Sequence, residues 1–372
     1  MTLRIENIEH LELFGDSISD IWYDQDEIKY YDVKKFRRKF YSELKKKDLP
    51  IDSKIYFVQE FWGGVYEIEY RLKAHWVAIS NKKISSFYWE NIHISGLYIV
   101  LSLDYSERKS EIFWQDFDDE TLPRYFLEHD FDRPSFQVFD YKNIKNLKDT
   151  NMEYYFAVKP SCSGLDYRLR SIAAMSSLLS QGRRMDELRI RMELALETGF
   201  TLSDLKEIIL QICLYAGFPR SLNGMSCLQT LMENRNQRGQ KTVEGTSPSP
   251  PPEGVSRYHL GWDKLQSLDS EFIHRLKAGL DQISPDLFSL ILEHAYADIF
   301  YRDNLDIRQR EVAVVAALVA VGNVDPQLSF HIMAALGTGI DRLQMSAIIN
   351  VAAMAAGKNP NHALGLIAKV PK

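Results

Sequence analysis

The sequence predicts a multidomain chain: an α+β domain with an antiparallel sheet over residues 1–160, then an all-α domain built twice. Three observations predict it. Residues 165–217 reappear without a gap at 305–357, so that Leu165-Asp166-x-Arg168-x-Arg170 matches Leu305-Asp306-x-Arg308-x-Arg310. The register holds through Gly182/Gly322, Thr198-Gly199/Thr338-Gly339 and Ala216-Gly217/Ala356-Gly357, with 16 of 53 aligned positions identical. An ungapped match of that length means two copies of one structural unit. Second, the chain changes character near residue 160. Five of its six tryptophans (Trp22, Trp62, Trp76, Trp89, Trp114) lie before it, and Ala, Leu and Met at helical spacing follow. Third, Thr246-Ser-Pro-Ser-Pro-Pro-Pro252 is too polar and Pro-rich for a helix or a central strand, and reads as extended linker. The divisions are 1–160, a first helical copy at 163–236, a linker at 237–256 and a second copy at 257–370.

Within the first 160 residues, Asp32 can cap a helix through Lys47 whose apolar positions Val33, Phe36, Phe40 and Leu44 share one face. Its other face is basic and reads as solvated. Strands are expected at 54–60, 64–72, 75–80, 84–90, 97–104 and 111–115, from alternation such as Tyr66/Ile68/Tyr70 and turn signals at Gly63-Gly64 and Asn81-Lys82-Lys83. Short strands in quick succession favour an antiparallel, curved sheet packed with a helix.

In the second copy, helices are expected over about Ile307–Val321, from Asp325-Pro326 to Thr338-Gly339, and over about Leu343–Ala356. Gly322 and Gly357 close two of them, and Pro326 suits a first helical turn. The run Ala313–Val321 is apolar all round, so its helix must be covered by the twin copy or by another subunit. The expectation is a homo-oligomer.

Composition excludes several classes. A net charge of −6 supplies no field for a polyanion, so nucleic acid is not expected as a partner. Acids in Met1–Glu9 interrupt any signal-peptide core, and no apolar run approaches the 18 or so residues of a membrane span. No membrane association and a cytoplasmic location are the plain expectations. Cys162, Cys213 and Cys227 are odd in number and form no Cys-x-x-Cys, which supports neither a disulfide framework nor a dithiol redox site. Phe14-Gly15-Asp16-Ser17-Ile18-Ser19-Asp20 is similar to the nucleophile block of GDSL-type esterases. The Gly-x-Asn-Asp and Asp-x-x-His elements that complete that relay are missing from residues 21–160, so the string reads as a tight turn between a strand and a helix.

One resemblance covers about residues 163–370. Leu305-Asp306-x-x-x-Arg310-Glu311, Ala316-Ala317-Leu318-x-Ala320-x-Gly322 and Gln327-Leu328-x-x-His331-x-x-x-Ala335-Leu336-x-x-Gly339 resemble the carboxymuconolactone decarboxylase family, which includes AhpD-like members. Tyr215–Gly224 is similar to its third-helix signature, and Gly261–Asp269 and Glu293–Phe300 to its lead-in helices. The resemblance implies cofactor-free decarboxylation of a small carboxylated lactone or related acid, and a trimer of two-copy chains. AhpD-like members pass protons from a Glu through a Cys-x-x-Cys. Asp325 and Leu328 fill that stretch here, which closes the thiol route.

The pair that could carry chemistry is Glu311 and His331, near the facing ends of consecutive helices, with His331 moving a proton. The competing reading makes Glu311 an exposed first-turn acid and His331 a packed core histidine. In the first copy the matching residues are Ser171 and Arg191, so neither acid nor imidazole remains. Arg191 reads as a surface charge or an anion clamp for the other copy. Arg220, after the Pro219 helix break, is a candidate carboxylate binder. His294, with Asp298 four residues on, is a further substrate-binding candidate whose bland reading is a helix-stabilising pair. Two functions stay open: a lyase using His331 and Glu311, and a non-catalytic oligomeric scaffold or binding protein displaying the N-terminal domain.

Overall fold

A computed structural model describes residues 2–17, 21–22, 54–62, 71–79, 90–104, 111–129, 135–140, 152–161 and 165–370. The chain divides into two compact units, Met1–Ser161 and Cys162–Lys372. The expected helix at 32–47 and the turns at 63–64 and 81–83 lie outside the described residues.

The first unit is an antiparallel sheet of β1 (Thr2–Ser17), β2 (Ile21–Trp22), β3 (Lys54–Trp62), β4 (Arg71–Ile79), β5 (Glu90–Leu103), β6 (Leu127–His129), β7 (Ser135–Asp140) and β8 (Met152–Pro160). The strand order is β1-β5-β8-β7-β3-β4-β2, with β6 beside β8 and the end of β1 returning to pair with β4. Tyr98, Ile99, Val100 and Leu101 follow one another in β5 and are all fully buried. Successive strand residues point to opposite faces, so both faces of β5 are covered. Two expectations fail here. Residues 111–115 are not a strand: Glu111–Asp116 is a helix, α1, that runs on through a π-helical turn (Phe117–Thr121) into Leu122–Arg124. A short apolar run cannot be told from a helix by periodicity alone, and buried Phe117, 4.9 Å from the Phe156 ring on β8, anchors the helical choice. Nor is Gly15-Asp16-Ser17 a tight turn. It is strand, pairing with Val77, Trp76 and His75.

The second unit is helical: α2 (Tyr167–Gln181), α3 (Met185–Glu197), α4 (Leu202–Ala216), α5 (Phe218–Gln237), α6 (Arg257–Leu268), α7 (Ser270–Asp281), α8 (Pro285–Leu290), α9 (Ile307–Val321), α10 (Asp325–Gly337), α11 (Arg342–Ala356) and α12 (Asn361–Ile367). A π-helical stretch, Ile291–Phe300, continues α8. The bounds of α9, α10 and α11 lie 140 residues beyond those of α2, α3 and α4, as the repeat requires. The caps repeat too. Asp166 and Asp306 accept first-turn N–H groups of α2 and α9, and Thr201 and Asp341 form capping boxes on α4 and α11. Gly182 and Gly322 end α2 and α9 at φ of 64° and 75°, a backbone region that favours glycine.

Helix α9 packs on α2 and α4, and α2 packs on α9 and α11, so the exchange is reciprocal, as in a two-fold pair. Val312 to Ala320 of α9 are buried within the chain itself. The twin copy therefore covers this helix, and the need for another subunit to cover it disappears. A buried polar lock joins the copies. Arg310, 1% exposed, donates to Gln211 at 2.9 Å and to Glu207 at 3.0 Å on α4, while Arg302 binds the same Glu207 at 2.9 Å. The linker is pinned to the surface. Ser249 donates from its backbone N–H and its hydroxyl to Asp303, at 2.8 and 2.6 Å, and Thr246 accepts from Ser203 at 2.6 Å. Gly245 is needed at this seam, because an added Cβ would meet Thr201 Oγ1 at 2.3 Å.

Candidate active site

Helix α9 brings Glu311 inward one turn after its capped start, and α10, antiparallel to it, returns His331 to the same level. His331 Nδ1 lies 2.8 Å from Glu311 Oε2. Glu311 is fully buried and His331 is 4% exposed, so the reading of Glu311 as an exposed first-turn acid is overturned. On the far side of the ring, His331 Nε2 lies 3.1 Å from the hydroxyl of Tyr215. A carboxylate at Nδ1 places the ring proton there, and Nε2 then accepts from the phenol. Glu311, His331 and Tyr215 thus form a continuous relay. Glu311 Oε1 has no hydrogen-bond partner among the described residues.

Tyr215 comes from the last turn of α4, in the first copy, and reaches a site whose other two members belong to the second. Burial pushes its phenol well above the ordinary tyrosine range, with the neighbouring Tyr296 and Glu311 adding to the effect. Burial, then the Glu311 charge, raises Tyr296 as well. Both phenols stay neutral donors at physiological pH. Lys264 on α6 also feels this centre: burial and Arg310 lower its pKa, and Glu311 opposes them.

Tyr215 and His331 line a cavity of about 570 Å³, within the range of small-molecule sites. Its other walls come from α7, α8 with its π-helical continuation, and the start of α10. The π-helical turn is positioned by Gly261 of α6, where a Cβ would meet the Leu292 carbonyl oxygen. His294 lines the cavity, and its Nδ1 lies 3.4 Å from Asp298, which Arg257 also binds.

The two arginine candidates sit elsewhere. Arg191 is buried rather than a surface charge, and it is held to Glu187 of its own helix at 2.9 Å. Arg220 lies over the end of α2, its guanidinium 3.5 Å from the Gly182 carbonyl. Neither lines the cavity. Tyr215, Tyr296 and Gln327 line the cavity and were not among the expected site residues. The repeat held one signal, since Tyr215 aligns with Ala355 and a phenol replaces a methyl there. Asp325, at the start of α10, pairs instead with His362 on the surface at 2.9 Å. Among the described residues no cluster of three or more His, Cys, Asp or Glu could hold a metal, and no helix is long and apolar enough to cross a membrane.

A duplicated helical unit with a buried acid–imidazole–phenol relay beside a small-molecule cavity defines the class. The chain belongs to the carboxymuconolactone decarboxylase family, whose profile matches residues 146–230 and 285–369. The first match begins before the repeat proper, at residue 146 rather than 163. It is similar to the 4-carboxymuconolactone decarboxylase of Acinetobacter baylyi, 31% identical over 100 residues, which are 25% of this chain and 74% of that one. It is also similar to peroxisomal protein 2 of Saccharomyces cerevisiae, 24% identical over 165 residues, 40% of this chain and 58% of the yeast protein's length. Among solved structures, an integron cassette protein from the Vibrio cholerae mobile metagenome overlaps 42% of this chain and 95% of its own, at 14% identity and a TM-score of 0.27. A likeness that loose carries no argument.

Proposed function

We propose that the chain is a cofactor-free lyase of the carboxymuconolactone decarboxylase type, with His331 as the proton-moving group. The observation that supports the reading is the Glu311–His331–Tyr215 relay at the wall of one cavity. The reaction breaks the bond to a carboxylate. Its electron pair passes into the conjugated lactone carbonyl, CO₂ leaves, and a proton is delivered to carbon. Once His331 has taken a second proton from solvent, its Nε2–H donates to the Tyr215 oxygen and the Tyr215 hydroxyl passes its own proton to carbon, while Glu311 holds Nδ1 and offsets the imidazolium charge. Glu311 is a positioning residue in this scheme.

The test is turnover of a carboxylated lactone by wild type and His331→Ala. Wild type should release CO₂, and the variant should lose about 10²–10⁴-fold in rate with helical circular dichroism unchanged. No turnover by wild type on any such lactone would leave the second reading, a binding protein. One observation favours that one: the matching positions of the first copy, Ser171 and Arg191, carry neither acid nor imidazole.

Assembly is part of the proposal. Phe218 and Leu222 share a face of α5 and are 67% and 68% exposed, while Leu287 and Leu290 present a second apolar edge on α8. Such surface suits a homo-oligomer, with a trimer of two-copy chains as the expected form. Light scattering in dilute buffer should give a multiple of 43.1 kDa; a monomer mass would count against it.

A further inference from the structure

We propose that the His331 cavity takes a mainly apolar ligand with at most one negative charge, an aryl- or alkyl-substituted lactone or related carbonyl compound rather than a polycarboxylate. This deepens the lyase reading and rests on the His331 cavity being the reaction site.

The lining carries the inference. Apolar side chains, Leu214, Leu276, Leu290, Ile291, Phe272 and Phe330 among them, make most of the wall, and the rings of Phe272 and Phe330 stack with centroids 3.9 Å apart. The polar lining groups are two phenols, two imidazoles and the Gln327 amide. Among the described residues lining the cavity, none is Lys or Arg. Of the cations closest to this centre, Arg310 is locked to Glu207 and Gln211, and Lys264, which feels both Arg310 and Glu311, does not line the cavity. The acid nearest the cavity is Glu311, buried behind His331.

Each carboxylate brought into such a space must give up its hydration, at a cost of several kcal/mol unless a cation or several donors replace it. His331 can answer one carboxylate but already faces Glu311, and His294 is turned toward Asp298. A second carboxylate would meet apolar walls. An aryl or alkyl group would gain there, since its apolar surface leaves water for apolar walls. The wall therefore selects for an apolar body with one polar group turned toward Tyr215 and His331.

The test uses the full chain and the uncharged fluorophore N-phenyl-1-naphthylamine. Two competitors are compared at neutral pH: a γ-butyrolactone bearing a phenyl group, and the same ring bearing two carboxylates. The phenyl lactone should displace the probe at a concentration at least about tenfold lower, a difference of about 1.4 kcal/mol. Leu290→Trp, at a half-open rim position, and Leu276→Trp, deeper in, should each weaken probe binding with helical content unchanged. Gln327→Arg should bring the dicarboxylate to the strength of the phenyl lactone or beyond. Stronger binding of the dicarboxylate to wild type would overturn the proposal, as would probe binding indifferent to both Trp variants.

Turnover separates the two readings. If the phenyl lactone binds as expected but neither it nor its monocarboxylate reacts, the ligand class stands and the lyase reading falls. If wild type decarboxylates the dicarboxylate and binds it better, the lyase reading stands and this proposal falls.

Discussion

The two copies share the bounds of three helices, yet only the second holds a buried acid–imidazole pair. Where α9 and α10 present Glu311 and His331, α2 and α3 present Ser171 and Arg191. The first copy spends those positions on packing, with Arg191 buried against Glu187. It still serves the second copy's site, because Tyr215 reaches across to His331. Fusing two like units removes the need for both to keep a site, and leaves one free to buttress the other.

The comparison can be broken most severely at the lock between the copies. Arg310→Met leaves Glu207 paired only with the half-exposed Arg302, and should cost about 3–5 kcal/mol in denaturant unfolding. The matching residue of the first copy, Arg170, does not touch a counterpart of Glu207, because position 347 is alanine. Next come paired substitutions at one repeat position. His331→Ala should slow turnover by about 10²–10⁴-fold and, because it strips the buried partner from Glu311, lower stability by about 1–3 kcal/mol. Arg191→Ala should leave turnover within about threefold and lower stability by about 1–3 kcal/mol, since it strips a buried partner from Glu187. Equal effects on turnover from the two would erase the distinction between the copies.

Tyr215→Phe is the sharper probe of the shared site. It should slow turnover by roughly 10–100-fold while costing at most about 1.5 kcal/mol of stability. A solely structural phenol would shift stability alone. The smallest effect is in pH. Tyr215 and Tyr296 have folded-state pKa values raised above the unfolded value of about 10. Their contribution is therefore complete below pH 10 and is lost as pH rises above it, toward the folded values. The melting temperature should fall on the alkaline side above about pH 10, and less steeply in Tyr215→Phe.

Much of the helical half was legible. The ungapped repeat placed α9 to within no residue at either end, because Asp306 and Gly322 signal start and stop in plain chemistry. The meeting of Glu311 and His331 could be expected from two consecutive helices. Tyr215 could not, since it is brought in by packing between segments 116 residues apart. The arginine candidates failed for a related reason: a cation's role depends on which acceptor reaches it first, and Glu187 and the Gly182 carbonyl did. In the first unit the short run at 111–115 held too few residues to show a period, and the strands at 135–140 and 152–160 were not anticipated.

The reciprocal packing of α2 on α9 also bears on how the chain is made. These partners lie 140 residues apart, so a domain of helices carries the long-range pairing more usual in slow-folding sheet proteins. During synthesis α2 and α4 leave the ribosome first, with the apolar faces that will meet α9 still uncovered. At about 5–20 residues per second, α2 waits roughly 7–28 s for its mate. The pinned Ser/Pro segment is the tether across that interval: it keeps the early copy close to the late one, and so favours closure within one chain over exchange between two.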